Sequence, residues 1–556
     1  MAVPQAIFNV PLMQPQPTTP RLTFALLALM LLLTATQALA AEVETDDPKL
    51  DAAFALILDR DFTVKAKGIE AIADSGHPQA AALLRGLLEG HLRRHQSSSR
   101  LVFVREQGSR FALTDAVTGE DLGLETKRKA KRLPINNLMR ARIEAQLARL
   151  ELTDPDPGVR LRAAEAMLEN PGGENQALIA ERLELEDNNR VLAALNAARS
   201  LGLLESGDLQ QRLAAIAELK KSLEPRVRNA LARLAENDPD DQVRAAATDA
   251  LVGIDQRIAF FGQLETLFFG LSLGSVLVLA AIGLAITFGV MGVINMAHGE
   301  LIMLGAYTTY LLQVALPGYS GVALLLSIPT AFVFCGLVGI AIERGVIRFL
   351  YGRPLETLLA TFGISLILQQ AVRTLVSPQN VPVANPDWMS GFWQVNSVLS
   401  LTYNRLFILL FCLIVFALLF LLLRRTSLGL QVRAVSQNRA MARAMGVHSQ
   451  RVDALTFGLG SGIAGVAGVA LSQLTNVGPN LGQAYIVDSF MVVVFGGVGN
   501  LWGTLVGGLS LGIANKVLEP WAGAVLAKIL VLVFIILFIQ RRPRGLFPQK
   551  GRAAES

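Results

Sequence analysis

The feature that most limits what this chain can fold into is the segregation of its charge. Residues 259–540 carry 8 Asp or Glu and 13 Lys or Arg, whereas residues 1–258 carry 36 and 32. A lone charge in hydrocarbon costs several kcal/mol, so a stretch this depleted is suited to a bilayer. It divides into nine apolar runs, near 266–290, 301–316, 321–342, 355–376, 404–423, 454–473, 485–499, 503–518 and 523–540. Several are close to the ~20 residues a helix needs to cross. A water-soluble enzyme occupying the whole chain is thereby excluded. So is a disulfide scaffold, because Cys335 and Cys412, the 2 cysteines, both fall in apolar runs, where a thiol packs as a small hydrophobe. The net charge of +5 does not point to nucleic acid, since the positive excess belongs to the apolar half and to the tail 541–556, with 1 acid and 5 bases.

Arg21 precedes the apolar stretch Leu22 to Leu33, and Ala38-Leu39-Ala40 follows with small residues at cleavage-type positions. This pattern predicts a signal peptide over 1–40, or an uncleaved anchor, and either sends 41–258 across the membrane to the periplasm of a bacterium. Nine crossings that start outside end inside. Arg344, Arg348, Arg353, Arg424, Arg425, Arg433, Arg439, Arg443, Arg451, Arg541, Arg542, Arg544, Lys550 and Arg552 then fall on cytoplasmic segments, and only Arg373, Arg405 and Lys516 fall outside, as the positive-inside bias requires. The expected organisation is a signal peptide (1–40), an extracytoplasmic domain (41–258), a membrane domain (259–542) and a cytoplasmic tail (543–556). The expected fold class is all-α, with about 8–9 transmembrane helices in an inner-membrane, multi-pass protein.

Residues 41–258 alternate Ala- and Leu-rich helical patterns with Asp, Pro and Asn punctuation. Asp154-Pro155-Asp156-Pro157-Gly158-Val159-Arg160 and Asp238-Pro239-Asp240-Asp241-Gln242-Val243-Arg244 share one cue, repeated more weakly at Glu224 to Arg228 and at Asp61 to Lys65. Each copy places a capping acid before a helix and a Val on the inner stripe, so the unit resembles HEAT-type helical repeats. Between 99 and 124 the period changes to strand-like, and a small β-hairpin insertion is predicted. Lys127, Arg128, Lys129, Lys131 and Arg132 read as a solvated face. His91 and His95 could share a helix face, but no carboxylate accompanies them and a metal site is not expected. No catalytic constellation or cofactor motif stands out.

The apolar half is richer in chemistry than an anchor needs. Its spans contain Gly, Ser, Thr, Asn and Gln, which allow close helix approach and line polar cavities. The knot Gly292 to Glu300 makes Asn295, His298 and Glu300 pathway candidates, since irregular backbone at membrane depth must face protein or water; a plain cytoplasmic turn is the alternative. The knot Phe495 to Thr504 adds Asn500, and Asp488 joins as an ionisable residue predicted within a span. No Lys-Ser or Lys-Thr follows the glycines of 496–499, so a phosphate loop is not expected. Both knots share Asn, a Gly three or four residues later, then a polar residue and Leu, a hint of an internal repeat. Between Thr426 and Asp453 a short amphipathic pattern with Arg439 and Arg443, ended by Gly446, predicts a surface helix able to meet a partner.

Three separated blocks carry a resemblance: Gly292 to Tyr307, Arg433 to Val447, and Val494 to Thr504. In order and content they look like the branched-chain amino acid type permeases of ATP-binding-cassette importers, over about 264–550. The resemblance implies a second permease subunit, two cytoplasmic ATPase subunits and a periplasmic solute-binding protein as partners, with Ser427–Gly446 as the coupling helix on the ATPase. The long N-terminal extension departs from the amino acid permeases and is similar to the urea-transport branch, which makes urea the first expected solute and a branched-chain amino acid or short amide the alternative. A passive channel and a membrane-tethered helical-repeat scaffold or sensor are the readings from other classes.

Overall fold

The computed structural model describes residues 48–547, apart from Arg60, Ser99, Gly108, Ser109 and Asn170. The expected signal peptide, Lys550 and Arg552 lie outside the described residues. Two compact units are present, one reaching to Ser222 and taking in Asn229–Ala250, the other formed by Leu223–Arg228 and the chain from Leu251 onward.

In the first unit, helices α1 (Pro48–Leu58), α2 (Phe62–Asp74) and α3 (Ala80–Glu89) lead into strands β1 (Leu92–His95), β2 (Leu101–Gln107), β3 (Arg110–Asp115), β4 (Asp121–Thr126) and β5 (Ala130–Arg132). The strands form one antiparallel sheet in the order β4-β3-β2-β1-β5. The predicted hairpin is therefore the centre of a larger sheet, and this unit is not purely helical. The strands Leu92–His95 and Ala130–Arg132, which extend the hairpin on the β2 side, are too short and too basic to show the alternation that marks a strand. For the same reason His91 and His95 do not share a helix face, because His95 ends β1.

Six helices follow: α4 (Asn137–Glu151), α5 (Pro157–Met167), α6 (Glu174–Leu185), α7 (Asn189–Ser206), α8 (Leu209–Leu219) and α9 (Pro225–Asn237). Side-chain caps start many of these helices, as the sequence cues require. Asp61 accepts from the Thr63 amide at 2.9 Å, Asp156 from Gly158 at 2.8 Å and Asn136 from Met139 at 2.8 Å. Asp208 forms a reciprocal capping box with Gln211.

The arginine that closes two copies of the repeat cue has a common task, whereas Arg228 pairs with Asp255. Arg160 Nη1 donates to the Asp154 carbonyl at 2.8 Å, and Arg244 Nη1 to the Asp238 carbonyl at 2.6 Å, so each ties a helix back to the turn that precedes it. Lys65 is buried and donates to the Pro134 carbonyl. Val227 and Val243 are buried, and Val64 and Val159 partly so. Arg160 also grips Glu186 with two 2.8 Å hydrogen bonds, and Glu186 accepts further from Arg182 and the Asn188 amide.

The second unit is helical apart from a small hairpin. Helix α10 (Asp241–Met291) gives its first residues to the first unit and the rest to the second. Then come α11 (His298–Ala315), α12 (Ser320–Gly345), α13 (Pro354–Leu375), the hairpin β6 (Phe392–Gln394) and β7 (Ser400–Thr402), α14 (Tyr403–Arg425), α15 (Ser427–Gln437), α16 (Arg439–Ala444), α17 (Ser449–Ser472), α18 (Leu481–Gly496) and α19 (Leu501–Arg541). All nine apolar runs are helical. Six described helices, α10, α12, α13, α14, α17 and α19, are long and apolar enough to cross a membrane, while α18 is a shorter apolar helix. The last two runs share α19, which breaks where Pro520 precedes Gly523 at φ 76°. Beyond that break the chain returns alongside α18. Phe538 packs on Phe495 at 4.9 Å, and the Leu546 and Phe547 amides donate to the Phe495 and Gly496 carbonyls.

The centre of this unit is α17, whose 24 residues are nearly all buried. A Cβ on Gly460 would lie 2.6 Å from the Gly283 carbonyl oxygen of α10, one on Gly462 2.8 Å from that of Phe332 in α12, and one on Gly468 2.7 Å from the Ala306 amide of α11. Three neighbours thus press against one helix backbone to backbone, as small residues permit in membranes. Both cysteines are buried free thiols.

The hydrogen bonds from Arg160, supported by the Asn188 amide and Arg182 and opposed by burial, hold the Glu186 carboxyl at about 2 against an ordinary 4.5. A carboxylate depressed in this way stabilises the fold fully above pH 4.5 and loses that contribution as pH falls toward 2. The shift corresponds to about 3 kcal/mol. In the full-length protein, hydrogen exchange corrected for intrinsic rates is expected to show protection of α5–α7 falling through this window. In Glu186→Gln it should be lower at neutral pH and flat across the window.

Candidate functional site

Three of the residues singled out by sequence lie close together in the chain where α11 begins, with His298 turned to α10 and Glu300 to α13. After α10 ends at Met291, Gly292 takes φ 68° and the chain runs without regular structure to His298. Such backbone inside a bundle needs side-chain partners, and the sequence supplies them. Asn295 is buried and its Oδ1 accepts from the Ala297 amide at 3.0 Å. The Met296 amide donates to Thr361 Oγ1 at 3.1 Å. His298 is buried and its Nε2 donates to the Ala280 carbonyl at 2.9 Å, so Nδ1 is the free acceptor position of the ring.

Glu300, 1% exposed, is the most demanding group in this region. Its Oε1 accepts from Ser365 Oγ at 3.0 Å and from Gln369 Nε2 at 2.7 Å. Its Oε2 is buried without a hydrogen-bond partner, as are Asn295 Nδ2 and His298 Nδ1. The donors it does have are neutral. A buried carboxylate held this way keeps acceptor capacity for an incoming N–H or O–H group, and Asn295 Nδ2 keeps a donor.

The partners on α13 were not anticipated. Thr357, Thr361, Ser365 and Gln369 are all buried, and at spacings of four they fall on one helix face rising about 18 Å. That i, i+4 run of polar residues in an otherwise apolar span was the available signal. The sequence argument instead weighed knots of irregular backbone, and this stripe sits within regular helix.

The other candidates lie elsewhere. Asp488, on α18, pairs with Lys528 of α19 at 3.2 Å and belongs to no shared cluster with Glu300. Asn500 caps α19, accepting from the Gly503 amide at 3.2 Å and donating to the Phe547 carbonyl at 3.2 Å. The two Asn–Gly knots do share one packing task. A Cβ on Gly299 would meet the Gly482 carbonyl oxygen at 2.5 Å and one on Gly503 the Gly496 carbonyl carbon at 2.7 Å, so the knots close on opposite ends of α18.

The amphipathic segment is two helices, because Asn438 breaks it at φ −149° and caps α16. Val432, Val435, Ala442 and Val452 form its inner cluster. Arg439 makes two 2.7 Å bonds to Asp453 and stands 4.0 Å above the Tyr351 ring. Arg443 Nε donates to Ser449 Oγ at 2.7 Å. Gly446 adopts φ 85°, open only to glycine without strain. Leu430, Met441 and Met445 are exposed on the same segment.

Comparison with known proteins agrees with this architecture. Residues 266–539 match the family described as the branched-chain amino acid transport system permease component. The chain is 31% identical over 304 residues to the high-affinity branched-chain amino acid transport system permease protein LivH of Escherichia coli K12, covering 96% of that protein and 52% of this one. The chain belongs to this permease family. It is also 31% identical to the corresponding protein BraD of Pseudomonas aeruginosa, over 96% of BraD and 51% of this chain, and 25% identical to the ribose import permease protein RbsC of E. coli, over 85% of RbsC and 50% of this chain. The permease is accordingly a multi-pass membrane transport component and not an enzyme, and the family match covers its second unit and not its first.

Packing around α17 in the permease leads to a steric prediction. A Cβ on Gly465 would lie 2.7 Å from both the Ala331 carbonyl oxygen and Cys335 Sγ. Gly465→Val is expected to cost at least the ~1–3 kcal/mol of core overpacking, seen as a lowered thermal transition and yield in detergent. Gly363→Ala, with nothing near the added methyl, should leave both unchanged.

Proposed function

We propose that the permease conducts a small polar solute past the buried cluster of Asn295, His298 and Glu300 against the polar stripe of α13, as one membrane subunit of an ATP-driven importer. The observation carrying this reading is the buried carboxylate of Glu300, held by neutral donors and left with one oxygen free, inside a chain of a transport permease family. The membrane interior is otherwise poor in charge, and a buried ionisable group of this kind is most often functional.

The importer reading takes energy from outside the chain, through a second permease subunit, two cytoplasmic ATPase subunits and a periplasmic binding protein. Contact with the ATPase falls to α15–α16, whose exposed Leu430, Met441 and Met445 flank a frame fixed internally by Arg439 and Arg443. The Lys and Arg distribution supports an outer location for the first unit, where stacked short helices suit docking, and a cytoplasmic carboxyl end.

For the solute, urea is the first reading. A neutral planar amide offers N–H donors to Glu300 Oε2 and a carbonyl to Asn295 Nδ2, and no ion pair occupies Glu300 among the described residues. The second reading is a branched-chain amino acid, favoured by the names of LivH and BraD. An ammonium group would suit Glu300, and a carboxylate would suit the helix ends that meet where Gly299 touches Gly482.

In cells dependent on this permease, labelled urea uptake is expected to be competed by short amides and not by leucine, and to fall at least tenfold in Gln369→Leu with insertion intact. Leucine uptake, or leucine competition, would replace urea by the second reading. Transport that survives ATP depletion would remove the importer reading itself. Gly446→Val is expected to leave ATP hydrolysis by the assembled transporter measurable while abolishing uptake, whereas loss of insertion would assign Gly446 to folding.

A further inference from the structure

A cavity of about 570 Å³ is lined by none of Asn295, His298, Glu300 or the α13 stripe. Its walls are the end of α10 (Ala285, Ile286, Gly289, Val290), the end of α14, one face of α15, and the turn 499–502. Arg424, Arg433, Ser436 and Gln437 line it together with Asn500, and no carboxylate is among the lining residues. Neither arginine is ion-paired among the described residues. Arg424 and Arg433 are exposed, yet each is tethered at the cavity: Arg424 lies 5.7 Å from the Phe420 ring and Arg433 donates to the Leu423 carbonyl.

The opposite wall is apolar. Trp502 is half exposed and packs edge-on against Phe416 and Phe420 at 5.2 and 5.7 Å. Leu421, which follows Phe420 on α14, is exposed, so α14 carries apolar surface of the kind that faces acyl chains. Two guanidinium groups with a side-chain amide donor match the oxygens of a phosphate, and basic pockets between membrane helices hold phospholipid head groups.

We propose that this cavity is a binding site for a phosphate-bearing anion, with Arg424 and Arg433 as its cationic partners and the second Nδ2–H of Asn500 as a hydrogen-bond donor; the Ser436 hydroxyl is already spent on the Arg433 carbonyl. An anionic phospholipid entering past Trp502 and a soluble phosphate share this chemistry. Because α15 forms one wall, an occupant braces the segment proposed above to meet the ATPase. The site itself does not depend on that proposal or on the identity of the solute.

The full-length permease would be purified with mixed phosphatidylglycerol and phosphatidylcholine and the retained lipid read by native mass spectrometry. In parallel, inorganic phosphate binding would be followed in lipid-free detergent. The expected result is preferential retention of phosphatidylglycerol, lowered at least tenfold in the double variant Arg424→Gln/Arg433→Gln and unchanged in Arg425→Gln, which lies off the cavity. Saturable phosphate binding abolished by the same double variant, without lipid preference, would assign the site to a soluble phosphate. A photoactivatable phosphatidylglycerol on the unaltered protein keeps the test decisive if the double variant fails to fold, and adducts should fall within 423–437 and 499–502. Equal retention of both lipids with no phosphate binding, or adducts confined elsewhere, would overturn the proposal.

Discussion

Backbone contact around α17 is the constraint on which the second unit depends. Gly460, Gly462, Gly465 and Gly468 face α10, α12 and α11 in turn, and at each of them a Cβ would collide with a neighbour. In a bilayer, lipid tails are as apolar as leucine, so helices gain little from hydrophobic burial against one another and depend on close van der Waals fit. Removing side chains from one central helix lets three others approach it at once. That approach fixes α11 beside α10, and with it the depth at which the irregular segment before His298 is held.

The polar cluster follows from this placement. A chain that leaves helical geometry within a bundle must satisfy its amides and carbonyls from side chains, and Asn295 and Thr361 do so for the Ala297 and Met296 amides. Once Glu300 is brought to the same depth, its charge requires donors, which Ser365 and Gln369 supply from one face of α13. One oxygen of the carboxylate remains without a partner, and the proposed solute route is built on that group. The first unit rests on a different device. Its helices α2, α4, α5, α7 and α8 start at carboxylate or amide caps, and the arginine closing two copies of the repeat cue returns to the carbonyl six residues earlier.

Much of this was legible in the sequence because it rests on periodicity and charge. The apolar runs, the capping acids of the repeat cue and the knot around Asn295 each declare themselves locally. What escaped did so for physical reasons. The strands Leu92–His95 and Ala130–Arg132 are held by pairing to β2 and to each other, a non-local effect that basic residues conceal. The split at Asn438 depends on a single backbone conformation, whereas the break of α19 falls at the gap between the apolar runs 503–518 and 523–540. Asp488 reads in the sequence as a pathway residue or a partner in a buried pair, and it pairs with Lys528, while Asn500 caps a helix. The α13 stripe was present at constant spacing and was missed because Thr and Ser are common in membrane helices for packing alone.

The most direct test of the central claim, that the α13 stripe borders a water-accessible route, is thiol labelling along that helix. Single cysteines at Thr361, Ser365 and Gln369 would be compared with one at Ile367, which is 68% exposed on the bundle's outer surface. With Cys335 and Cys412 replaced, a membrane-impermeant thiol reagent is predicted to label the stripe positions in the transporting assembly and to spare Ile367→Cys in the bilayer. Labelling at Ile367 with none along the stripe would contradict the account.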